Sequence, residues 1–474
     1  MHARRLFIGG ERIPALAGEA QTLHNPATGE RIGTIPDCRE DDVGRAVAAA
    51  RKAADASDWP TLKPAERAGF VSALAAVVAG RGEDLARLVT TENGTPITRS
   101  MPAHGTRVPA IYSYFAELGA QLEPEETRPA SGTLVRRVPV GVAGLITPWN
   151  GPQSLLAFKL GAALVAGCTV VIKPAVETSL DALMLAECAT EAGIPPGVVN
   201  VVTGGADAGR ALVEHPGVDM IAFTGSAAVG RSIGAACGER LRPAVLELGG
   251  KSAALVLDDA DLDHFRRQVI SVCTPNTGQV CYSCTRILAP ASLYEEVVEA
   301  VVSAVQEAPV GDPMDPASVF GPVVSAGQRD RINAMIEVGK KEGASVAYGG
   351  STAPGRTAGF FVDPTVFRDV HNRMSIAQQE IFGPVLSIIP YDSDEDAIRL
   401  VNDTAYGLAG TVFGRDIARA RRLARQFRTG TVGVNGYQVC LDAPFGGVKA
   451  SGLGRELGPE GLAPYLQPQS IYGY

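Results

Sequence analysis

V-P-V-G-V-A-G-L-I-T-P-W-N-G-P-Q-S-L-L-A-F-K-L-G-A-A-L-V-A-G-C-T-V-V-I-K occupies residues 138–173, and its reading decides the fold. The opening run, 138–147, is apolar and bounded by turn formers, the pattern of a strand buried on both faces. Residues 153–166 have the composition and length of a helix, and T-V-V-I-K (169–173) is a second buried strand. Strand, helix and strand in succession imply parallel pairing through a right-handed crossover.

The alternation continues outward from there. Further strands are predicted at G-V-V-N-V-V (197–202), D-M-I-A-F (219–223) and A-V-L-E-L (244–248), with helices over 179–192, 206–214 and 227–237. Together they make a doubly wound α/β sheet. A second α/β series begins at S-A-A-L-V-L (252–257) and runs past T-V-F-G-R-D (411–416) to G-T-V-G-V-N (430–435). Two α/β domains joined near residue 250 would face one another across a cleft, where ligands usually bind. Upstream, 41–56 opens with an acidic cap and runs on alanines as a helix, and 64–90 reads as two helices broken at Gly80–Gly82.

Composition narrows the function classes. A chain of 474 residues is too long for one core. Apolar residues at 46% and charged residues at 20% describe an ordinary soluble globular protein. A net charge of −8 without any dense Lys/Arg run argues against nucleic acid as a partner. No apolar run reaches the roughly 18 residues of a membrane span. The start, M-H-A-R-R-L-F-I-G-G-E-R, has basic residues but no apolar region behind them, so no signal peptide is expected. Eight scattered cysteines predict reduced thiols and a cytoplasmic location.

Chemistry concentrates in a few places. N-T-G-Q-V-C-Y-S-C-T-R (276–286) holds Cys281 and Cys284 as a C-x-x-C. A structural zinc needs four ligands, and there is neither a second C-x-x-C nor an H-x-x-x-H spacing, so no metal is expected. A thioredoxin-like redox pair opens a helix in a chain's first βαβ unit, which is not this setting. What remains is one nucleophilic thiolate beside a packed neighbour, with Asn276, Thr277 and Gly278 presenting Cys281 at a bend. Glu247 ends a buried strand in L-E-L-G-G-K (246–251), where a carboxylate is costly unless it pairs with Lys251 or has a task. Glu380, in Q-Q-E-I-F-G-P (378–384), poses the same question. F-T-G-S-A-A-V-G (223–230) follows a strand and opens a helix whose amides could meet a phosphate, although a plain strand–turn–helix has the same pattern. No G-x-G-x-x-G fingerprint is placed correctly for a standard Rossmann site. Lys173 and Asn150 stand at the carboxyl ends of the first two strands.

In chain order, T-P-W-N, I-K-P-A, F-T-G-S-A-A-V-G, L-E-L-G-G-K, N-T-G-Q-V-C, E-I-F-G-P and P-F-G-G-V-K-A-S-G (444–452) resemble the motifs of the aldehyde dehydrogenase superfamily. The resemblance covers nearly the whole chain. It implies an atypical Rossmann cofactor domain (1–117 and 140–249), a catalytic domain (250–449) and a small β oligomerisation arm (118–139 and 450–474), in a homodimer or homotetramer. It implies oxidation of an aldehyde to a carboxylic acid. Cys281 looks like the nucleophile, Asn150 and the Cys281 amide the oxyanion hole, and Glu247 the base for thioester hydrolysis, with Lys173 in the same functional set. Cys284 matches no family role.

The resemblance further implies NAD as cofactor. Lys173 would contact the adenosine ribose, with Ala175 and Val176 beside it, and Gly205 and Gly209 would line the adenine side. Ser226 would meet the pyrophosphate, among Phe223, Thr224, Gly225 and Val229. Glu380 would hold the nicotinamide ribose with Phe382 packing alongside. Ile146, Thr147, Pro148, Trp149, Leu248, Gly249 and Gln328 complete the cofactor surface. Many NAD-preferring members read K-P-x-E; here Val176 takes the place of that glutamate, so NADP is expected to be accepted as well. For the substrate, the implied positions are Gly151, Ser154, Phe158, Val280 and Tyr282. Gly151 stands where many relatives carry a bulky side chain, and none of the five is Arg or Lys. A medium-sized apolar or aromatic aldehyde is the expectation. A CoA-acylating enzyme and a non-catalytic relative are the alternatives, and both fit poorly with the presence of Glu247 and Cys281.

Overall fold

A computed structural model describes residues 5–16, 18–351 and 358–473. Its first sheet has eight strands, five of them a parallel core. In space the five run Ala244–Glu247, Met220–Thr224, Val142–Ile146, Thr169–Lys173 and Val199–Val201. The chain starts in the middle, at Val142–Ile146, builds outward to Val199–Val201, then returns to build on the other side. Val142–Ile146 and Met220–Thr224 are therefore the pair at which crossovers diverge. Ligands bind beyond the carboxyl ends of such a pair, and those ends carry residues 147–150 and 225–226. The helix Pro152–Ala166 that follows the first strand is buried almost all round, which fits its nearly unbroken apolar sequence.

The apolar run 138–147 is two strands rather than one. Leu134–Pro139 ends where Gly141 takes φ +118°, and Val142–Ile146 begins after it. A Cβ on Gly141 would lie 2.1 Å from Asp219 Oδ2, the atom that accepts the Val142 amide at 2.7 Å. The break is thus fixed by a glycine-only turn clamped to a carboxylate.

The second sheet has seven strands, in the order Ser345–Tyr348, Thr365–Arg368, Val385–Tyr391, Arg286–Pro290, Ala253–Val256, Gly410–Phe413 and Gly433–Val434. Only the first of these runs antiparallel to its neighbour. A small antiparallel sheet joins Glu125–Thr127, Leu134–Pro139 and Leu466–Ile471. Before reaching it, the C-terminal stretch adds Gly452–Leu453 to the first sheet, antiparallel to Ala244–Glu247. Only part of 450–474 therefore belongs to the small sheet. The other part walls in Glu247.

Candidate active site

The loop that carries Cys281 is held in an unusual shape. Asn276, Thr277 and Gly278 are consecutive left-handed residues, with φ of 50°, 57° and 73°. A β-branched residue rarely adopts that conformation, and such strain persists only where surroundings enforce it. Gly321 donates its amide to Thr277 Oγ1 at 3.0 Å, and Val324 donates to Gln279 Oε1 at 3.0 Å. A Cβ on Gly278 would meet Gly383 O at 2.1 Å, so the second α/β unit closes directly over the bend. Asn150 crosses from the first unit, its side-chain amide donating to Gln279 O at 2.9 Å.

Cys281 emerges from this bend at the meeting point of two cavities. One, of about 150 Å³, is lined by Pro148, Trp149, Thr224, Gly225, Ser226, Leu248, Gly249, Gln328, Glu380 and Phe382. The other, of about 310 Å³, is lined by Gly151, Ser154, Phe158, Val280 and Tyr282 among others. Asn150 and Cys281 line both. The residue keeps some exposure at this junction, yet its thiol is densely surrounded. Burial first, then the potentials of Glu380, Glu247 and Glu456, raises the thiol above its usual range. Cys284, three residues on, is fully buried in the core of the second unit with Val272, Cys273 and Ile287, and burial pushes its thiol up to about 12.

Glu247 is 2% exposed, and among the described residues neither carboxyl oxygen has a hydrogen-bond partner. Pairing with Lys251 does not account for it, because the Lys251 ammonium is also buried without a partner. Burial, then Glu456, raises the Glu247 pKa well above the carboxylate range, partly offset by Lys159 and Arg455. Lys159 is a buried lysine ion-paired with Glu456, and its Nζ also lies 2.5 Å from Thr224 Oγ1. Sequence reasoning missed this pair. The signal was there, since a lysine inside an otherwise apolar buried helix requires a partner.

The cofactor-side residues fall into two groups. Around the first cavity, Gly249 leaves no room for a Cβ, which would lie 2.1 Å from Glu380 Oε2, and Glu380 Oε1 accepts from Gly250 N at 3.0 Å. Phe382, at φ +60°, stacks edge-on against Trp149 with centroids 5.3 Å apart, and Gln328 Nε2 donates to Phe382 O at 2.9 Å. Ser226 caps the helix Ala227–Glu239 by accepting from Val229 N. Val229 is exposed on its first turn, and Leu248 packs beneath it against Gly230. The Phe223 ring fills the space where a Gly225 Cβ would sit. Arg331, not anticipated, joins this cavity and donates to Glu380 O at 2.9 Å.

The second group lies along the neighbouring strand ends. Ile146 is buried, and Thr147 N donates to Lys173 O at 3.2 Å. Lys173 Nζ donates to the carbonyls of Pro174 and Gly204 at 2.7 and 2.9 Å, and burial lowers its pKa to about 8. Gly209 lies against its stem, Gly205 caps the next helix, and Ala175 leads into the turn Val176–Thr178. Lys173 lines neither cavity that contains Cys281. The structure does not place it in the linings around the thiol.

These features fit a dinucleotide on the structure's own terms. A glycine turn and a helix N-terminus open at the switch point, with Ser226 accepting from the Val229 amide. Beyond them lies a cleft that ends at a thiol.

A two-unit α/β fold with a cysteine between a phosphate-type turn and a second cavity defines a nucleotide-dependent oxidoreductase with a thiol centre. The comparisons specify which. The sequence model of the "Aldehyde dehydrogenase family" matches residues 15–471. A geranial dehydrogenase of Castellaniella defragrans is 49% identical over 472 residues, covering 99% of this chain and 98% of that protein. An aldehyde dehydrogenase of Mycobacterium tuberculosis, solved with NAD+, superposes with a TM-score of 0.98 at 45% identity, covering 100% of this chain and 99% of that one. A cysteine-to-alanine variant of aldehyde dehydrogenase C from Pseudomonas syringae, solved with NAD+ and octanal, gives 0.96 at 36% identity, covering 99% and 97%. The chain belongs to the aldehyde dehydrogenase family. It is an oxidoreductase that oxidises aldehydes with NAD as cofactor.

Proposed function

We propose that Cys281 is the nucleophile, that Asn150 and the Cys281 amide stabilise the oxyanion, and that Glu247 is the general base. The observation that carries this reading is the position of the thiol: one sulfur at the junction of two cavities that Asn150 also lines, with the buried carboxyl of Glu247, outside both linings, near enough to act on the thiol electrostatically. The thiol gives its proton to solvent, and Sγ adds to the aldehyde carbon to give a thiohemiacetal. The second hydrogen of the Asn150 amide and the Cys281 N–H hold the alkoxide oxygen. Trp149, Gly225, Ser226, Gly249, Glu380 and Phe382 would hold NAD, which would supply the hydride acceptor that turns the thiohemiacetal into a thioester on Cys281. Glu247 then removes a proton from water as its oxygen attacks the thioester, releasing the carboxylic acid and restoring the thiol.

The substrate is a medium-sized aldehyde with an apolar or aromatic body. Leu155, Phe158, Val280, Tyr437 and Phe445 supply the walls, and about 310 Å³ is the volume of a small-molecule site. The geranial and octanal of the relatives are aldehydes of this kind. NADP is accepted beside NAD, because Val176 presents no carboxylate to repel a 2′-phosphate. The protein works in the cytoplasm as a homodimer or homotetramer, joined through the small antiparallel sheet, whose outer strands have free edges.

The deciding experiment is a panel of aldehydes with NAD and NADP on the wild type and Cys281→Ala. Turnover of apolar aldehydes that vanishes in the variant supports the reading. Product released as acyl-CoA rather than acid would overturn the hydrolytic step, and a strict NADP requirement would overturn the cofactor assignment.

A further inference from the structure

The substrate-side cavity holds three nitrogen-bearing side chains that the reaction above does not use. Arg99 and Arg107 flank the π-helical turn Met101–Thr106, and His104 comes from the turn itself. π turns have poorer hydrogen-bond geometry than an α-helix and are frequent at functional sites. Arg107 Nη2 donates to Val439 O at 2.6 Å, while Arg99 Nη2 reaches Tyr282 OH only at 3.4 Å. Each guanidinium carries five N–H groups, so both retain donors. Among the described residues neither is ion-paired to a carboxylate. His104 is 3% exposed, with its Nδ1 lacking a partner. Burial and the neighbouring Arg99 lower its pKa to about 3, so the ring is neutral.

Arg99 and Arg107 line the same cavity as Cys281 and bring to it two cations that, among the described residues, no carboxylate answers. An anion entering the cavity is drawn to these guanidinium groups, and Phe158, Tyr437 and Phe445 give the same cavity aromatic walls. We propose that Arg99 and Arg107, with His104, bind a carboxylate at the far end of the substrate, making an ω-oxo acid with an apolar chain the preferred aldehyde. Planar guanidinium groups match carboxylate geometry and hold it through paired N–H donors. The inference rests on aldehyde oxidation at Cys281 and adds a polarity to the substrate: aldehyde at the sulfur, carboxylate at the arginines.

The test uses chain-matched pairs, hexanal and octanal against the ω-oxo acids of the same carbon number, with NAD and purified enzyme. The expected result is a kcat/KM about tenfold higher for each oxo acid, carried by KM, the scale of one charged hydrogen bond. That preference should shrink as salt rises. In Arg99→Leu and Arg107→Leu the oxo acid to alkanal ratio should fall about tenfold, and Arg107→Lys should retain part of it. A wild-type ratio at or below one would overturn the proposal while leaving alkanal oxidation standing. So would a ratio that both leucine variants leave unmoved. Absence of Cys281-dependent turnover with all four aldehydes would overturn the reaction itself. The wild-type comparison needs no variant, so the proposal stands or falls on it even where a variant fails to fold.

Discussion

The side-chain amide of Asn150 donates to the carbonyl of Gln279 at 2.9 Å, and Asn276 Nδ2 donates back to the Asn150 carbonyl at 3.1 Å. This reciprocal pair ties the end of the first parallel strand to the loop that presents Cys281. It fixes one α/β unit against the other at the reacting atom, and it holds an amide donor in place before substrate arrives. An oxyanion donor that is already oriented costs no reorganisation when charge develops.

Removing that donor should cost rate more than affinity. Asn150→Ala is expected to lower kcat by about 10²–10³-fold, the usual loss for one oxyanion donor. The pre-steady-state rate of NADH formation should drop by a similar factor. A variant with normal burst kinetics would remove Asn150 from the reaction.

Glu247→Gln keeps the shape and removes the base. A burst of NADH is expected to remain while steady turnover collapses, since hydride transfer precedes hydrolysis. The raised Glu247 pKa sets the sign of the pH dependence in the wild type. The base form is gained only above the ordinary carboxylate range, so the hydrolysis rate should climb with pH there and the climb should vanish in Glu247→Gln. If the burst is lost as well, Glu247 is the base for the thiol in addition to water.

The parallel core was legible because its strands are buried on both faces, so short apolar runs separated by helices had one interpretation. The break at Gly141 was not legible, since it depends on Asp219, which lies 78 residues away and accepts Val142 N. Asn150, Glu247 and Cys281 stood out by residue type at strand ends and at a bend. Arg99, Arg107 and His104 did not, because they belong to a helical segment upstream of the sheet, and only the tertiary fold brings them to the cavity. Lys159 is legible in principle, as a lysine within an apolar helix, but its partner Glu456 lies 297 residues away and only the fold supplies it.

Gly278 is expected to tolerate no side chain. It sits at φ +73°, and a Cβ would meet Gly383 O at 2.1 Å, a backbone atom that cannot swing aside. Gly278→Ala should destabilise the protein by about 1–3 kcal/mol from strain and overpacking. Because the two units close over this bend, it should also slow thiol alkylation and turnover together. A melting temperature and labelling rate equal to the wild type would show that the loop's shape does not depend on this contact.

Lys251 gives the sharpest test of a buried charge. The residue is 2% exposed, its amine has no hydrogen-bond partner among the described residues, and burial, then Arg286, lowers its pKa from 10.5 to about 7, with Glu380 acting the other way. Between those two values the unfolded chain binds a proton that the folded protein does not. Stability should therefore rise with pH across that window, by at most about 1.4 kcal/mol per pH unit for one proton. Below about pH 7 both states are protonated on Lys251, and the cost of the buried charge is fully present. Glu380, raised to about 7 by burial, pulls oppositely between the ordinary carboxylate range and pH 7, so the comparison belongs above that point. Lys251→Met removes the titrating amine and keeps an apolar chain of similar length. The variant should melt higher than the wild type near neutral pH, and the gap should narrow steadily up to about pH 10.5, above which the wild-type amine is neutral in both states. A gap that stays constant over that range would mean the amine keeps its ordinary pKa in the fold, and with it a partner or solvent contact.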